Sequence, residues 1–111
     1  MNFLCVVPVY NEDEKIQQLC NEIKEFKSNN KNIEFLLVNN GSTDKSKEIM
    51  ESFNLKIINN EKNFGVGFAL IQGYKYALKS KYDYLIHLAG NGKMKPKEII
   101  KFISLIENNN Y

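Results

Sequence analysis

The sequence predicts a doubly wound α/β domain, a mainly parallel sheet built from four strand-helix units. Three observations predict it. Four short apolar runs, 3–7, 33–38, 55–58 and 84–88, alternate with longer segments whose apolar residues recur at helical spacing. The runs are almost continuously apolar, as in strands covered on both faces. Strand and helix also alternate four times over, which is what parallel strands joined by right-handed crossovers require.

Each element has its own local reason. After the first run, Ile16, Leu19, Cys20, Ile23 and Phe26 form one stripe of a first helix. Asn11 with Glu14 three residues on reads as its N-cap, and Glu12, Asp13 and Glu14 suit its positive end. A second helix is expected over about 44–53 and a third over about 67–79. In the third, Ala69, Gly73 and Ala77 make a small-residue stripe that allows close approach to the sheet. A fourth helix starts at Pro96, a residue favoured in the first turn, and carries Ile99, Ile103 and Ile106 on one face. Residues 107–111, ENNNY, read as a frayed end.

Composition narrows the class. A chain of 111 residues and 12.9 kDa fits one domain with one real core, and 43% hydrophobic with 25% charged residues excludes disorder. A net charge of +2 argues against a nucleic-acid partner. Cys5 and Cys20 match neither a CxxC pair nor a zinc set and read as reduced core thiols. The start lacks a basic stretch or cleavage site, and no apolar run nears the ~20 residues of a membrane span. A cytoplasmic chain is expected, soluble or peripheral at the inner membrane face.

Ligands of such sheets bind outside the carboxyl ends of the strands. There the chain reads VVPVYNE at 6–12, LLVNNGSTD at 36–44 and NFGVGFA at 63–69, with HLAGNGKM at 87–94 before Lys95 and Pro96. A loop that leaves a strand and enters a helix offers backbone N–H groups and a positive dipole to a diphosphate. Pro8, Asn11 and Gly41 shape such loops. The GxG of Gly65 and Gly67 lacks the third Gly of a dinucleotide turn, since Leu70 stands there, and it follows the third strand rather than the first. Those glycines alternatively serve tight turning and close packing.

These segments resemble the family 2 glycosyltransferase patterns VxPxYNE, VDDGSTD, NxGxGxA and DxDGxxxxP. The resemblance implies the Rossmann-like GT-A fold and a nucleotide-diphosphate sugar as ligand. It implies a site made of Pro8, Tyr10, Asn11, Glu12, Asn39, Asn40, Gly41, Ser42, Asn63, Gly65, Gly67, Ala89, Gly90, Asn91 and Lys93. Tyr10 would lie along the base or ribose with Glu12 accepting a hydrogen bond; the alternative is a surface aromatic and a helix-start charge. Asn39 and Asn40 stand where the family has Asp-Asp, which leaves hydrogen-bonding capacity without charge, or simple capping of the next turn.

The family's Mg²⁺ or Mn²⁺ carboxylates align with Ala89 and Asn91, so no cofactor is expected and the standard metal site is weakened, with Mg²⁺ or Mn²⁺ left as the alternative. Lys93 or Lys95 would then meet the diphosphate, unless both are solvated surface charges. His87, the sole histidine, is expected to be packed in its strand, with lining of the sugar pocket as the less favoured reading. No catalytic base is assigned, since neither Asp83 nor Glu98 matches the family's position. The resemblance covers the donor half only, and the acceptor half is expected to be missing from 1–111.

Two functions follow. One is transfer of a sugar to a lipid-phosphate or saccharide acceptor by direct displacement; the other is a degenerate nucleotide-binding or interaction module. A phosphoacceptor receiver is disfavoured because the strand ends carry Asn instead of an acidic cluster. An uncovered edge strand and apolar flank would favour self-association.

Overall fold

The structure is a computed structural model that describes residues 2–109. Its elements are β1 (Phe3–Val9), α1 (Ile16–Asn29), β2 (Ile33–Asn39), α2 (Ser46–Glu51), β3 (Lys56–Asn59), α3 (Val66–Lys79) and β4 (Tyr84–His87). A 3₁₀ turn, Pro96–Glu98, then leads into α4 (Ile99–Asn109). The strands form one sheet in the order β3-β2-β1-β4, all parallel. Phe3 lies opposite both Ile33 and Tyr84, so β1 is central.

Alternation along β1 assigns the layers. Phe3, Cys5, Val7 and Val9 pack with Phe35 and Leu37 against the buried stripe of α1 and against Met50, Ile99 and Ile103 of α2 and α4. Leu4 and Val6 pack with Leu36 and Val38 against Ala69 of α3. All five expected stripe residues of α1 are buried. Each such Leu, Ile or Phe contributes about 1.5–3 kcal/mol by leaving water. On the other face, a Cβ on Gly73 would run into the side chain of Val6, with Val6 Cγ1 at 2.9 Å. Glycine is what lets α3 lie on the sheet.

Several local expectations are corrected. Asn11 does not cap α1: the helix starts at Ile16 after a turn, its N-cap position is Lys15 without a side-chain cap bond, and its first turn holds no acidic residue. Asn11 instead adopts φ 50 in the preceding loop. Pro8 lies inside β1, opposite Val38, rather than in the loop. The carbonyls of Val6 and Pro8 accept from Leu88 and Gly90, so the chain just past β4 still runs beside β1, and Pro8 has no N–H to donate on that side, where the regular ladder stops at His87. His87 is exposed, at the last position of the edge strand β4, whose other residues are half-buried. The second helix is shorter than expected, since Asp44 serves as a cap acceptor before it. At the far end the helix continues through Asn109 where fraying was expected, while Asn110 and Tyr111 lie outside the described residues.

Candidate functional site

The loops after β1 and β2 are held together by their own side chains. Asn11 Oδ1 accepts the N–H groups of Thr43 at 2.8 Å and Asp44 at 3.3 Å, and its own N–H donates to Ser42 Oγ at 3.0 Å. The N–H of Glu12 donates to Ser46 Oγ at 2.9 Å, and that of Asp13 to Asp44 Oδ2 at 3.1 Å. Asp44 Oδ1 accepts the N–H of Ser46 at 2.9 Å. Partial burial pushes the Asp44 carboxyl up, but hydrogen bonds from Ser46 and the Asp13 N–H outweigh it and hold the group below its ordinary value. The YNE and GSTD segments are therefore a mutual clip.

Behind the clip runs a ladder of side-chain amides. Asn39 Oδ1 accepts the N–H of Ser42 at 3.0 Å, while its Nδ2 donates to Asn59 Oδ1 at 2.9 Å across the β2-β3 pair. Asn40 Nδ2 donates to the carbonyl of Gly65 at 3.0 Å, and its Oδ1 accepts from Asn60 Nδ2 at 3.2 Å. Asn60 and Gln72 exchange two further bonds of 2.9 and 2.8 Å. Asn39 and Asn40 are 2% and 4% exposed, so their amides are largely spent on joining β2, β3 and the loop before α3. At Gly41, φ is +75, and an added Cβ would collide with the backbone of Lys62 and come within 2.7 Å of Asn63 N. That close passage brings the third loop to the site.

These supports frame a cleft of about 260 Å³ at the carboxyl ends of the strands. It is lined by Pro8, Val9, Tyr10, Glu12, Asn40, Asn63, Gly65, Val66, Ala89, Gly90 and Asn91. Of the residues singled out in the sequence, Asn11, Asn39, Gly41 and Ser42 thus stand behind the lining as supports. Gly67 and Lys93 lie outside it. Val9 and Val66 line it without having been expected, since an apolar residue next to a motif gives no polar signal. Tyr10 is 44% exposed at the rim, and α3 opens beside Gly65 and Val66 with no side-chain cap on its first turn. A larger groove of about 510 Å³ runs between α1 and the start of α4, away from the strand ends and their polar groups. Chemistry, not size, favours the smaller cleft.

The donor set does not fit a divalent cation. Glu12 is the carboxylate among the described lining residues, Ala89 offers no ligand, and Asn91 Oδ1 accepts the N–H of Lys93 at 3.0 Å. Among the described residues no group of three His, Cys, Asp or Glu is placed to hold a metal. Next to the cleft, sharing Asn91 with it, lies a depression of about 230 Å³ bordered by Lys15, Lys93 and Lys95. Lys95 Nζ is held by Glu22 Oε1 at 3.3 Å, while Lys15 and Lys93 are exposed beside the cleft.

An all-parallel β3-β2-β1-β4 sheet with alternating helices and a cleft at its carboxyl edge defines a Rossmann-like domain of the GT-A type. The chain belongs to glycosyl transferase family 2, whose model matches residues 4–111. It is 30% identical over 114 residues to the uncharacterized protein MJ0544 of Methanocaldococcus jannaschii, covering 96% of this chain and 48% of that one. It is 28% identical over 120 residues to the UDP-N-acetylglucosamine–dolichyl-phosphate N-acetylglucosaminyltransferase of Methanococcus voltae, covering 93% and 46%. The chain thus spans less than half the length of these relatives.

Among solved structures, S. aureus TarS 1-349 in complex with UDP superposes with a TM-score of 0.77 at 22% identity, over 97% of this chain and 32% of the TarS 1-349 chain. The mannosyltransferase PcManGT of Pyrobaculum calidifontis, in complex with GDP-Man and Mn²⁺, gives 0.70 at 18% identity over 81% and 27%. At these identities the likeness establishes the fold.

Proposed function

We propose that the cleft holds the nucleotide diphosphate of a nucleotide sugar, and that the chain is the donor-binding half of a transferase acting on a lipid-phosphate or saccharide acceptor. One observation carries the reading: four strand-end loops, clipped by Asn11 and by the Asn39–Asn40 ladder, converge on a single cleft. Tyr10 at its rim offers a flat face to the base, and Glu12 an acceptor to the ribose. The uncapped first turn of α3 offers N–H groups to a phosphate. The lipid-phosphate acceptor is supported by the name of the Methanococcus voltae relative.

Leaving-group charge must be neutralised for the anomeric C–O bond to break. PcManGT, which shares the fold, is solved in complex with GDP-Man and Mn²⁺, whereas the residues here do not fit such an ion. In our reading Lys93 meets the diphosphate, and binding is insensitive to metal. A second reading, a module that binds without turnover, is favoured by the same missing carboxylates at Ala89 and Asn91.

Calorimetric titration with uridine, guanosine, cytidine and thymidine diphosphate sugars, with Mn²⁺ or with EDTA, tests both. At least one donor should bind equally well in either condition, and Lys93→Ala should weaken it about tenfold, the effect of one exposed charge-assisted contact. Absence of binding to every donor would end both readings, and an unchanged Lys93→Ala affinity would end the lysine assignment.

A further inference from the structure

The outward face of α3 is unlike that of a solvated helix. Phe68 (41% exposed), Ile71 (50%), Tyr74 (51%) and Leu78 (85%) stand on it, and the row continues into the loop through Phe64, whose ring centroid lies 4.9 Å from that of Phe68. The outward face of α1, by contrast, carries Gln17, Asn21, Lys24, Glu25 and Ser28. At about 100° per residue, Lys75 and Lys79 fall on the same side of α3 as Phe68, Ile71 and Leu78. Lys62 lies over the Phe64 ring, 5.4 Å from its centroid. Between Glu61 and Asp83 the sequence holds four lysines, Lys62, Lys75, Lys79 and Lys81, and no Asp or Glu.

We propose that this face, from Phe64 to Leu78, is a docking surface for a lipid bilayer carrying anionic headgroups. Its chemistry is that of an interfacial helix: aromatic and aliphatic side chains for the headgroup-acyl boundary, and lysines to meet negative lipid. Charge favours a bilayer over a second copy of the chain. A second copy related by a two-fold axis would set ridge against ridge, bringing both sets of lysines together with no acidic residue in the segment to offset them. An anionic membrane is complementary at Lys75 and Lys79 on this face.

The surface also adjoins the cleft. Gly65 and Val66, which line it, lie between Phe64 and Phe68, so docking along this row sets the cleft mouth at headgroup depth. The docking does not depend on the donor reading, because vesicle binding requires no nucleotide.

The test is co-sedimentation with phosphatidylcholine vesicles made with and without phosphatidylglycerol, at low and high salt. The chain should bind the phosphatidylglycerol vesicles, ignore the pure phosphatidylcholine ones, and lose affinity as salt rises. Lys75→Ala combined with Lys79→Ala should cost roughly ten- to thirtyfold in vesicle affinity. Ile71→Asp combined with Leu78→Asp should abolish sedimentation while melting like the parent, as both side chains are at least half exposed. Absence of binding to the anionic vesicles, equal binding to both lipids, or variants that bind like the parent would overturn the proposal. So would sedimentation equilibrium showing a dimer without lipid that Ile71→Asp with Leu78→Asp dissociates, since a second copy would then cover the face.

Discussion

Asn11→Ala is the sharpest test of how the site is built. The substitution removes the acceptor for the N–H groups of Thr43 and Asp44, and it places Ala at φ 50. A net hydrogen bond contributes about 0.5–1.5 kcal/mol, and the low end applies because Asn11 is exposed and water can replace its partners. The two bonds together contribute about 1 kcal/mol. Left-handed backbone costs Ala about 1 kcal/mol more, whereas Asn visits that region readily. The expected loss is about 2 kcal/mol, or roughly 10 °C in melting temperature for a domain of this size. Asn11→Gly separates the two causes, because it loses the same bonds without the strain and should lose about half as much. Thermal and urea melts followed by circular dichroism measure both. An Asn11→Ala variant melting within about 2 °C of the parent would refute the clip, and a glycine variant no better than the alanine one would refute the strain.

Gly41→Ala should cost more than about 3 kcal/mol, since the new Cβ meets the Lys62 backbone at a positive φ, while Gly67→Ala, in open space within α3, should be neutral or stabilise by about 0.5 kcal/mol; urea melts compare them. Asp44 is held below its ordinary value in the fold, so its contribution is present above the unfolded value of about 4 and disappears as pH falls through the folded one. Asp44→Asn should therefore flatten the acid limb of a stability-pH profile, and an unchanged limb would count against the bonding at Asp44. Burial pushes the Cys5 thiol far up and that of Cys20 to about 11, so at pH 8 neither should react with a thiol reagent until urea unfolds the chain. Rapid native labelling would contradict the packing.

The strands and α1 were legible because the signal and the force that places them are the same thing, apolar surface at a fixed period. Ile16, Leu19, Cys20, Ile23 and Phe26 repeat at helical spacing, and all five are buried. Asn11 was misread for the opposite reason. An Asn with Glu three residues on has two local solutions, a helix cap or a turn residue, and the choice is made by Ser42, Thr43 and Asp44, more than thirty positions away. His87 was misread because exposure in a strand depends on strand order and on where the strand stops, which no window of sequence contains. The cleft was legible to the extent that strand ends carry the ligand side of such sheets. Which motif residues line it and which brace it from behind was not, since Asn11 and Ser42 look as chemical in sequence as Tyr10 and Glu12.

The asparagines show what the missing carboxylates mean. Asn39 pairs with Asn59 across β2 and β3, Asn40 with Asn60 one position beyond both strands, and Gln72 closes the second pair from α3. A carboxylate at position 40 would keep the Asn60 bond but turn an anion toward the Gly65 carbonyl, at a site only 4% exposed, where unpaired charge is costly. The substitutions at 39 and 40 therefore belong to one neutral network with partners in β3 and α3, rather than being isolated losses. Together with Ala89 and Asn91 they leave Glu12 as the carboxylate among the described cleft residues, while Lys15 and Lys93 border the adjoining depression. Such a site suits a diphosphate met by protein cations, and an ion that needs several charged oxygens has little to hold it there. In the donor reading, metal-independence and the amide ladder are thus two consequences of one change in the chemistry of the strand ends.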